Sequence, residues 1–356
     1  MKKIFTLIVC VAFITLKSNA QDGISDLFKG APSDLNKLVN AYANPLFKGF
    51  GNSLNGGYTN TAKTQKFLRF CIRISASGSI VPQSDKTYDI NSLGLSSNIK
   101  PTDANKTIAP TFGGNSTDTP PSLTISDPSA PNDPLRKYSF ALPKGVVSII
   151  PAPQVQLTIG LIKNTDVSIR FIPETKLSSD VGSVGMIGFG IKHNIAQDFG
   201  TATKLVPFDL ALAIGYTRLN YTLPLDVKPQ NGNVTGSTDF SNQRLEGHFT
   251  GVNVQAIISK RLFFFTPFAA VGYSSSKTDV ATLGNFPFVT GVTGLPNPGQ
   301  PTYTTYADPI RITDSGSTSG LHADAGFQLS LTFFKIYASY SFASYQAVNA
   351  GIGLGF

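Results

Sequence analysis

The sequence predicts an all-β fold: an antiparallel transmembrane β-barrel of about 10–14 strands with a short N-terminal helical segment. Three observations predict it. Apolar and small or polar residues alternate from Phe67 onward, the connections switch between tight turns and long Pro/Gly/Thr-rich stretches, and no apolar run beyond residue 20 is long enough for a spanning helix. Only helices and closed barrels satisfy the backbone in lipid, so a chain of this pattern that spans a membrane must do so as a barrel.

Residues 1–20 read as a signal peptide. Lys2 and Lys3 precede an apolar stretch from Ile4 to Leu16, and Ser18-Asn19-Ala20 supply small residues for cleavage. Loss of Lys2, Lys3 and Lys17 takes the formal charge from +8 to +5, and no basic run points to nucleic acid. Cys10 lies inside the signal, which leaves Cys71 with no internal disulfide partner. Charged residues make up 14% of the chain, beside 33 Gly and 23 Pro, which excludes both a disordered chain and an ordinary charged-surface globule.

Residues 21–66 are expected to hold one helix and a Gly-rich linker, a candidate plug. Leu35, Leu38, Val39 and Tyr42 recur at helical spacing, Pro32 and Ser33 start the run, and Asn44-Pro45 is expected to end it. From 67 to 356 the period is two. The first strand puts Leu68, Phe70, Ile72 and Ile74 on one face and Arg69, Cys71, Arg73 and Ser75 on the other.

Nine further segments repeat the pattern: 154–162, 166–173, 184–192, 207–221, 247–259, 262–274, 320–334, 336–345 and 349–356. Tight turns are expected near Lys163, Arg261 and Lys335, on one side. Long loops 78–153, 223–245 and 276–319 fall on the other, as outer loops of such barrels do. The connection at 194–206 is longer than that asymmetry favours. An extra hairpin of Tyr138–Leu142 with Gly145–Ile150 would raise the strand count. With no Trp in the chain, Phe263-Phe264-Phe265, Tyr337, Tyr340 and Tyr345 are the candidates for an interfacial aromatic girdle. Ala350, Ile352, Leu354 and the last residue, Phe356, form a closure and assembly signal, expected to lie beside the strand that contains Phe70.

Asn44-Pro45-Leu46, Gly49-Phe50-Gly51, Leu54-Asn55-Gly56-Gly57-Tyr58, Gly190-Ile191-Lys192-His193, Pro207-Phe208-Asp209-Leu210 and Thr266-Pro267-Phe268-Ala269 resemble an uncharacterised family of secreted, barrel-like proteins from Bacteroidetes-type bacteria. The resemblance spans nearly the whole mature chain and implies location, with no known activity. A helix and Gly-rich segment ahead of a barrel are also similar in architecture to the long-chain fatty-acid transporters, whose N-terminus plugs the lumen.

The candidate lumen-lining residues are Arg69, Arg73, Arg170, Asp209, Phe264, Phe268, His322 and Asp324. Arg69, Arg73, Arg170 and Lys192 would either favour anions in a constriction or form an internal salt-bridge network with Asp209, Asp324 and Glu246. Phe264 and Phe268 would line an apolar pocket or pack on the N-terminal segment. His322 and Asp324, two apart on one strand, share a face and could orient a base, yet no nucleophile accompanies them. Besides His322/Asp324 no metal-ligand spacing occurs, and no phosphate-binding or dinucleotide signature, so no metal, cofactor or enzymatic activity is expected. The leading expectation is an outer-membrane protein that acts as a plugged channel or binder for a small or hydrophobic molecule. A structural or adhesion barrel acting through its outer loops is the alternative, and a membrane-embedded hydrolase using His322 the minor one. Expected partners are outer-membrane lipids, the barrel assembly machinery and a small hydrophobic ligand.

Overall fold

A computed structural model describes residues 32–178, 182–198, 207–229, 232–293, 300–313 and 316–355. The expected signal peptide and Phe356 lie outside them. Ten antiparallel strands form the wall among these residues: β1 (Phe70–Ile80), β2 (Ile149–Gly160), β3 (Thr165–Ser178), β4 (Gly182–Asn194), β5 (Asp209–Pro224), β6 (Arg244–Ser259), β7 (Phe265–Leu283), β8 (Thr318–Leu331), β9 (Phe334–Phe342) and β10 (Ala347–Gly355). Each pairs with its sequence neighbours, and β1 pairs with β10, so the sheet closes. The closing register runs from Ser79 opposite Ala347 to Cys71 opposite Gly355.

Alternation sorts the side chains. Ile72, Phe189, Ile191, Leu212, Ile214, Val254, Val271, Ile352 and Leu354 face outward and are exposed, while Arg73, Gln156, Arg170, Lys192, Asn194 and Thr217 face inward and are buried. A barrel that is apolar outside and polar inside matches a lipid surround. The band has a margin on β5, where outward Tyr216 gives way to exposed Arg218.

One rim carries the tight turns. Lys163 and Asn164, in the three-residue connection between Leu161 and Thr165, both have the left-handed φ of 52° that lets the chain reverse tightly. The turn after β8 falls at Thr332-Phe333 rather than Lys335, because Thr332 adopts φ of 55°. Lys335 therefore lies within β9, where Tyr337 turns inward and is buried. Tyr345 is also buried, so neither tyrosine joins a girdle; Phe263 and Phe264 remain exposed at the turn rim. Of the connection at 194–206, residues 199–206 lie outside the described set.

The other rim carries the long loops, and these are folded. Thr87–Asp89 pairs with Ile108–Pro110, and Ser122–Ser126 pairs with both Ile99–Pro101 and Lys137–Ala141. Pro301–Ala307 pairs with both Asn285–Val292 and Val234–Thr235. The expected hairpin of Tyr138–Leu142 with Gly145–Ile150 does not form: Lys137–Ala141 takes Ser122–Ser126 as its partner, and Ile149 and Ile150 already belong to β2.

Helix α1 (Pro32–Asn55) joins the two zones. It continues past Pro45, whose ring has a helix-compatible φ and removes only one intrahelical donor. Its second half is Gly-rich because the wall is close: a Cβ on Gly49 would lie 2.6 Å from Ile150 Cγ1. Tertiary packing thus outweighs weak helix propensity. The first half buries Leu35, Leu38, Val39 and Tyr42 in an apolar core with loop residues such as Ile90, Phe112, Leu123 and Phe286. Asp34 accepts from the Ser96 amide at 2.9 Å, which fixes the helix start among the long loops. From there α1 descends into the barrel, and residues 56–66 carry the chain to the turn rim.

Candidate functional site

The end of α1 has carbonyls with no partner in their own helix. Six consecutive carbonyls, those of Ser53 to Asn55 in α1 and of Gly56 to Tyr58 just beyond it, accept from inward-facing wall side chains. Gln154 Nε2 donates to Ser53 O at 2.9 Å, Arg170 Nη1 to Leu54 O at 2.7 Å, and Asn253 Nδ2 to Asn55 O at 2.9 Å. Arg170 Nη2 reaches Gly56 O at 3.0 Å. Arg73 donates to Gly57 O, and to Tyr58 O at 2.8 Å, which also accepts from Gln156 Nε2 at 3.2 Å. Two guanidinium groups therefore sit at the negative pole of the helix, where cations are favoured.

Tyr58 keys the segment into the wall. Its hydroxyl donates to Tyr216 O at 2.7 Å and lies 3.0 Å from Phe189 O. The ring fills a slot between β4 and β5 where Gly190 is paired with Gly215. A Cβ on Gly190 would stand 2.7 Å from the ring, and one on Gly215 2.6 Å from it. On the opposite side the Arg170 guanidinium covers the ring at 3.5 Å. Further down, Lys192 Nζ donates to Thr61 O at 3.0 Å and Lys63 O at 2.7 Å. It also pairs with buried Asp166 at 3.1 Å, and Asp166 accepts from the Gln65 amide at 2.8 Å.

At the turn end this network leaves a polar cavity of about 50 Å³, bordered by Tyr58, Arg73, Lys192, Gln328, Lys335 and Tyr337. At the loop end Asp85 fastens α1 to the rim. It takes a 3.0 Å ion pair from Lys48 and a 2.6 Å hydrogen bond from the Tyr345 hydroxyl. Partial burial pushes the Asp85 carboxyl up, but these two bonds and the Lys48 charge outweigh it and hold it below the usual aspartate range. Burial, then the bond to Asp85, pushes the Tyr345 hydroxyl up.

The sequence along residues 1–356 matches the model of a family of unknown function, DUF6588. The chain belongs to that family. No curated protein matches the sequence. Among solved structures the DUF6588 chain is similar to Ail, the attachment invasion locus protein of Yersinia pestis, at 9% identity and a TM-score of 0.27, covering 82% of this chain and 100% of that one. The translocator domain of the autotransporter NalP from Neisseria meningitidis gives 10% identity and a TM-score of 0.28, covering 85% and 91%. The outer-membrane protease OmpT from Escherichia coli gives 11% and 0.33, covering 83% and 100%. Similarities of this size carry no argument about activity.

Within the DUF6588 barrel the expected lumenal residues separate. Arg73 and Arg170 come together on the N-terminal segment, so they form neither an open anion constriction nor a salt-bridge network; their partners are main-chain carbonyls of that segment and the Gln156 side-chain oxygen. Arg69 is exposed at the turn rim, because Leu68, with φ of 59°, turns the chain and the strand phase starts only at Phe70. Phe264 is half exposed for the same reason: Phe263 has φ of 56°, and alternation begins at Phe265. Phe268 does face inward and packs with Ala62, Ala211, Ala213, Ile257 and Ala270.

Asp209 accepts from Asn194 at 3.0 Å near the turn rim, and Glu246 pairs with Arg244 at 2.7 Å; neither meets Arg73 or Arg170. His322 Nε2 lies 3.8 Å from Asp324 Oδ2, beyond hydrogen-bond length, and no hydrogen bond to either ring nitrogen is formed among the described residues. The imidazole is thus not set as a base. Sequence reasoning missed Tyr58, Gln154, Gln156 and Asn253. A signal existed: Gly188, Gly190 and Gly215 leave gaps at inward positions, which an incoming ring can fill.

Proposed function

We propose that this protein is an outer-membrane β-barrel held shut by its own N-terminal segment, which binds or passes a small molecule when that segment shifts. The observation that carries this reading is the capture of the carbonyls of Ser53 to Tyr58 by Gln154, Arg170, Asn253, Arg73 and Gln156. A purely structural barrel gains more from an apolar fill, since buried charged donors lose hydration and rarely outperform hydrophobic packing. A polar interface has a different merit: water can replace each bond when the segment leaves, so release does not strand buried groups. The exposed apolar band supports a lipid surround, and a signal peptide at residues 1–20 would deliver the chain there. Outer-membrane lipids and the assembly machinery are the partners this reading requires.

Efflux of a small dye from proteoliposomes tests it. Wild type is expected to retain the dye, and Arg73→Gln/Arg170→Gln to release it while keeping the heat-modifiable gel migration of a folded barrel. A folded double variant that retains dye as well as wild type does would rule the reading out.

A second reading rests on the loops. Their small sheets pack on the first half of α1 and make an ordered cap, a surface suited to adhesion. Replacing the cap loops without any change in cell or matrix attachment would remove it.

A further inference from the structure

β2 and β3 are joined only from Gly160–Asp166 to Gln156–Arg170, and no pair beyond Gln156–Arg170 connects them among the described residues. Both strands nevertheless continue. β2 stays zipped to β1 as far as Ile149–Ile80, and β3 follows β4 to Ser178–Gly182. The wall therefore has a seam on its loop side.

The sequence encodes it. Gly160 exchanges backbone bonds with the β1 side, while the Leu161 amide donates to Thr165 O. Odd residues of β2 thus point their backbone groups at β3, and odd residues of β3 point theirs at β2. Pro151, Pro153 and Pro173 all fall on these facing edges. Each lacks the N–H that would have continued the ladder, which is why proline is confined to strand edges.

On its β3 side the seam starts at the margin of the apolar band. Phe171 is level with Ile187, and Ile187 with exposed Arg218, where the band ends. Unpaired backbone edges are excluded from hydrocarbon but tolerated at its boundary. An apolar recess of about 210 Å³ occupies this place, bordered by Ile74, Ala76, Pro153, Val155, Ile172 and Ile352. Ile74, Ala76, Pro153, Val155 and Ile352 are outward residues, while Ser75, Gln154 and Gly351, which also line it, belong to the inward face. Ile172 belongs to the inward face of β3 and is 2% exposed, so the recess reaches from the outer surface to the inside of the wall.

Behind the seam the lumen changes character. Inward residues of β3 to β5 are polar toward the turns, with Asp166, Arg170, Lys192 and Thr217. Toward the loops they become Ile172, Val184, Met186 and Leu219, packed in one apolar cluster with Leu54 of α1.

We infer that the β2–β3 seam is a lateral binding site for the alkyl chain of an amphiphile in the surrounding lipid, such as a fatty acid. The chain would lie in the recess and reach Ile172, with its polar head at the band margin beside the open backbone edges. This rests on the membrane-barrel reading above but not on the opening of the lumen.

The absence of Trp from the sequence supplies the test. Val155→Trp places one reporter at the recess, and Ile214→Trp places a control on the outward face of β5. Titration of the detergent-solubilised full chain with a spin-labelled stearic acid should quench Val155→Trp with a saturable component and Ile214→Trp only in proportion to label. Restoring donors with Pro151→Val/Pro153→Val/Pro173→Val should remove the saturable part. In wild type the Val155 amide should exchange hydrogen at least roughly tenfold faster than those of Leu157 and Ile169. Equal, non-saturable quenching at both reporters, or equal exchange across the seam, would overturn the inference. Saturable quenching beside a dye-retaining Arg73→Gln/Arg170→Gln protein would remove the conduit and leave the lateral site.

Discussion

The Arg170 guanidinium lies 3.5 Å over the ring of Tyr58, and the same guanidinium donates to the carbonyls of Leu54 and Gly56 on either side of the helix end. One wall residue thereby fixes the ring that enters the Gly190/Gly215 slot and the backbone that leads to it. A desolvated cation–aromatic contact adds about 2 kcal/mol to such a joint.

Loss of the ring should therefore loosen the whole segment. Tyr58→Ala is expected to cost about 3–5 kcal/mol, as for other buried aromatic truncations. Gly215→Ala should act from the other side, since its methyl would meet the ring at 2.6 Å. Both act on one contact, so Tyr58→Ala/Gly215→Ala should be little worse than Tyr58→Ala alone. Urea unfolding followed by gel migration measures the three variants; full additivity would place Gly215 outside the slot.

Arg170→Lys should not rescue Arg170→Met. An ammonium is a point charge and cannot span Leu54 O, Gly56 O and Gln156 Oε1 as a planar fork does. Each variant leaves buried carbonyls unpaired, with an expected loss of about 2–4 kcal/mol. Limited proteolysis between residues 52 and 66 reads the effect; wild-type resistance in Arg170→Lys would contradict it.

Asp85 should make the loop-end clamp acid-labile. Its carboxyl titrates lower in the folded protein than in the unfolded chain, so its contribution is complete above the unfolded aspartate range. That contribution fades as pH falls through the lowered folded value. The group is partly exposed and paired with Lys48, which limits the gain to about 1 kcal/mol or less. Thermal midpoints of wild type and Asp85→Asn should differ at neutral pH and converge in strong acid; a gap that widens on acidification would reverse the sign.

Much of the wall is legible in the sequence, because alternation is a local property. Ile72 and Ile74 against Cys71, Arg73 and Ser75 already assign two faces, and the last strand shows its partner through Ile352 and Leu354. Alternation holds only within a strand. Leu68 and Phe263, with positive φ, turn the chain just before Phe70 and Phe265 begin theirs, which is why Arg69 and Phe264 lie at the rim and not in the lumen. The site is less legible, because its partners are distant in sequence: Tyr58 meets Gly190, Gly215 and Arg170 only once the barrel closes. Pro151 and Pro153 read as loop residues within 78–153, since proline normally ends a strand. They sit in β2 because the edge they occupy faces a seam. Gly49 and Gly51 likewise read as linker and stand in a helix that the wall encloses.

Single-channel recording in planar bilayers tests the closed-lumen account most directly. Wild type should show no sustained steps under modest voltage, and a protein lacking residues 32–63 should show stable, discrete conductance, with heat-modifiable migration confirming its barrel. A folded deletion protein that stays silent, or a wild type that conducts equally, would contradict it.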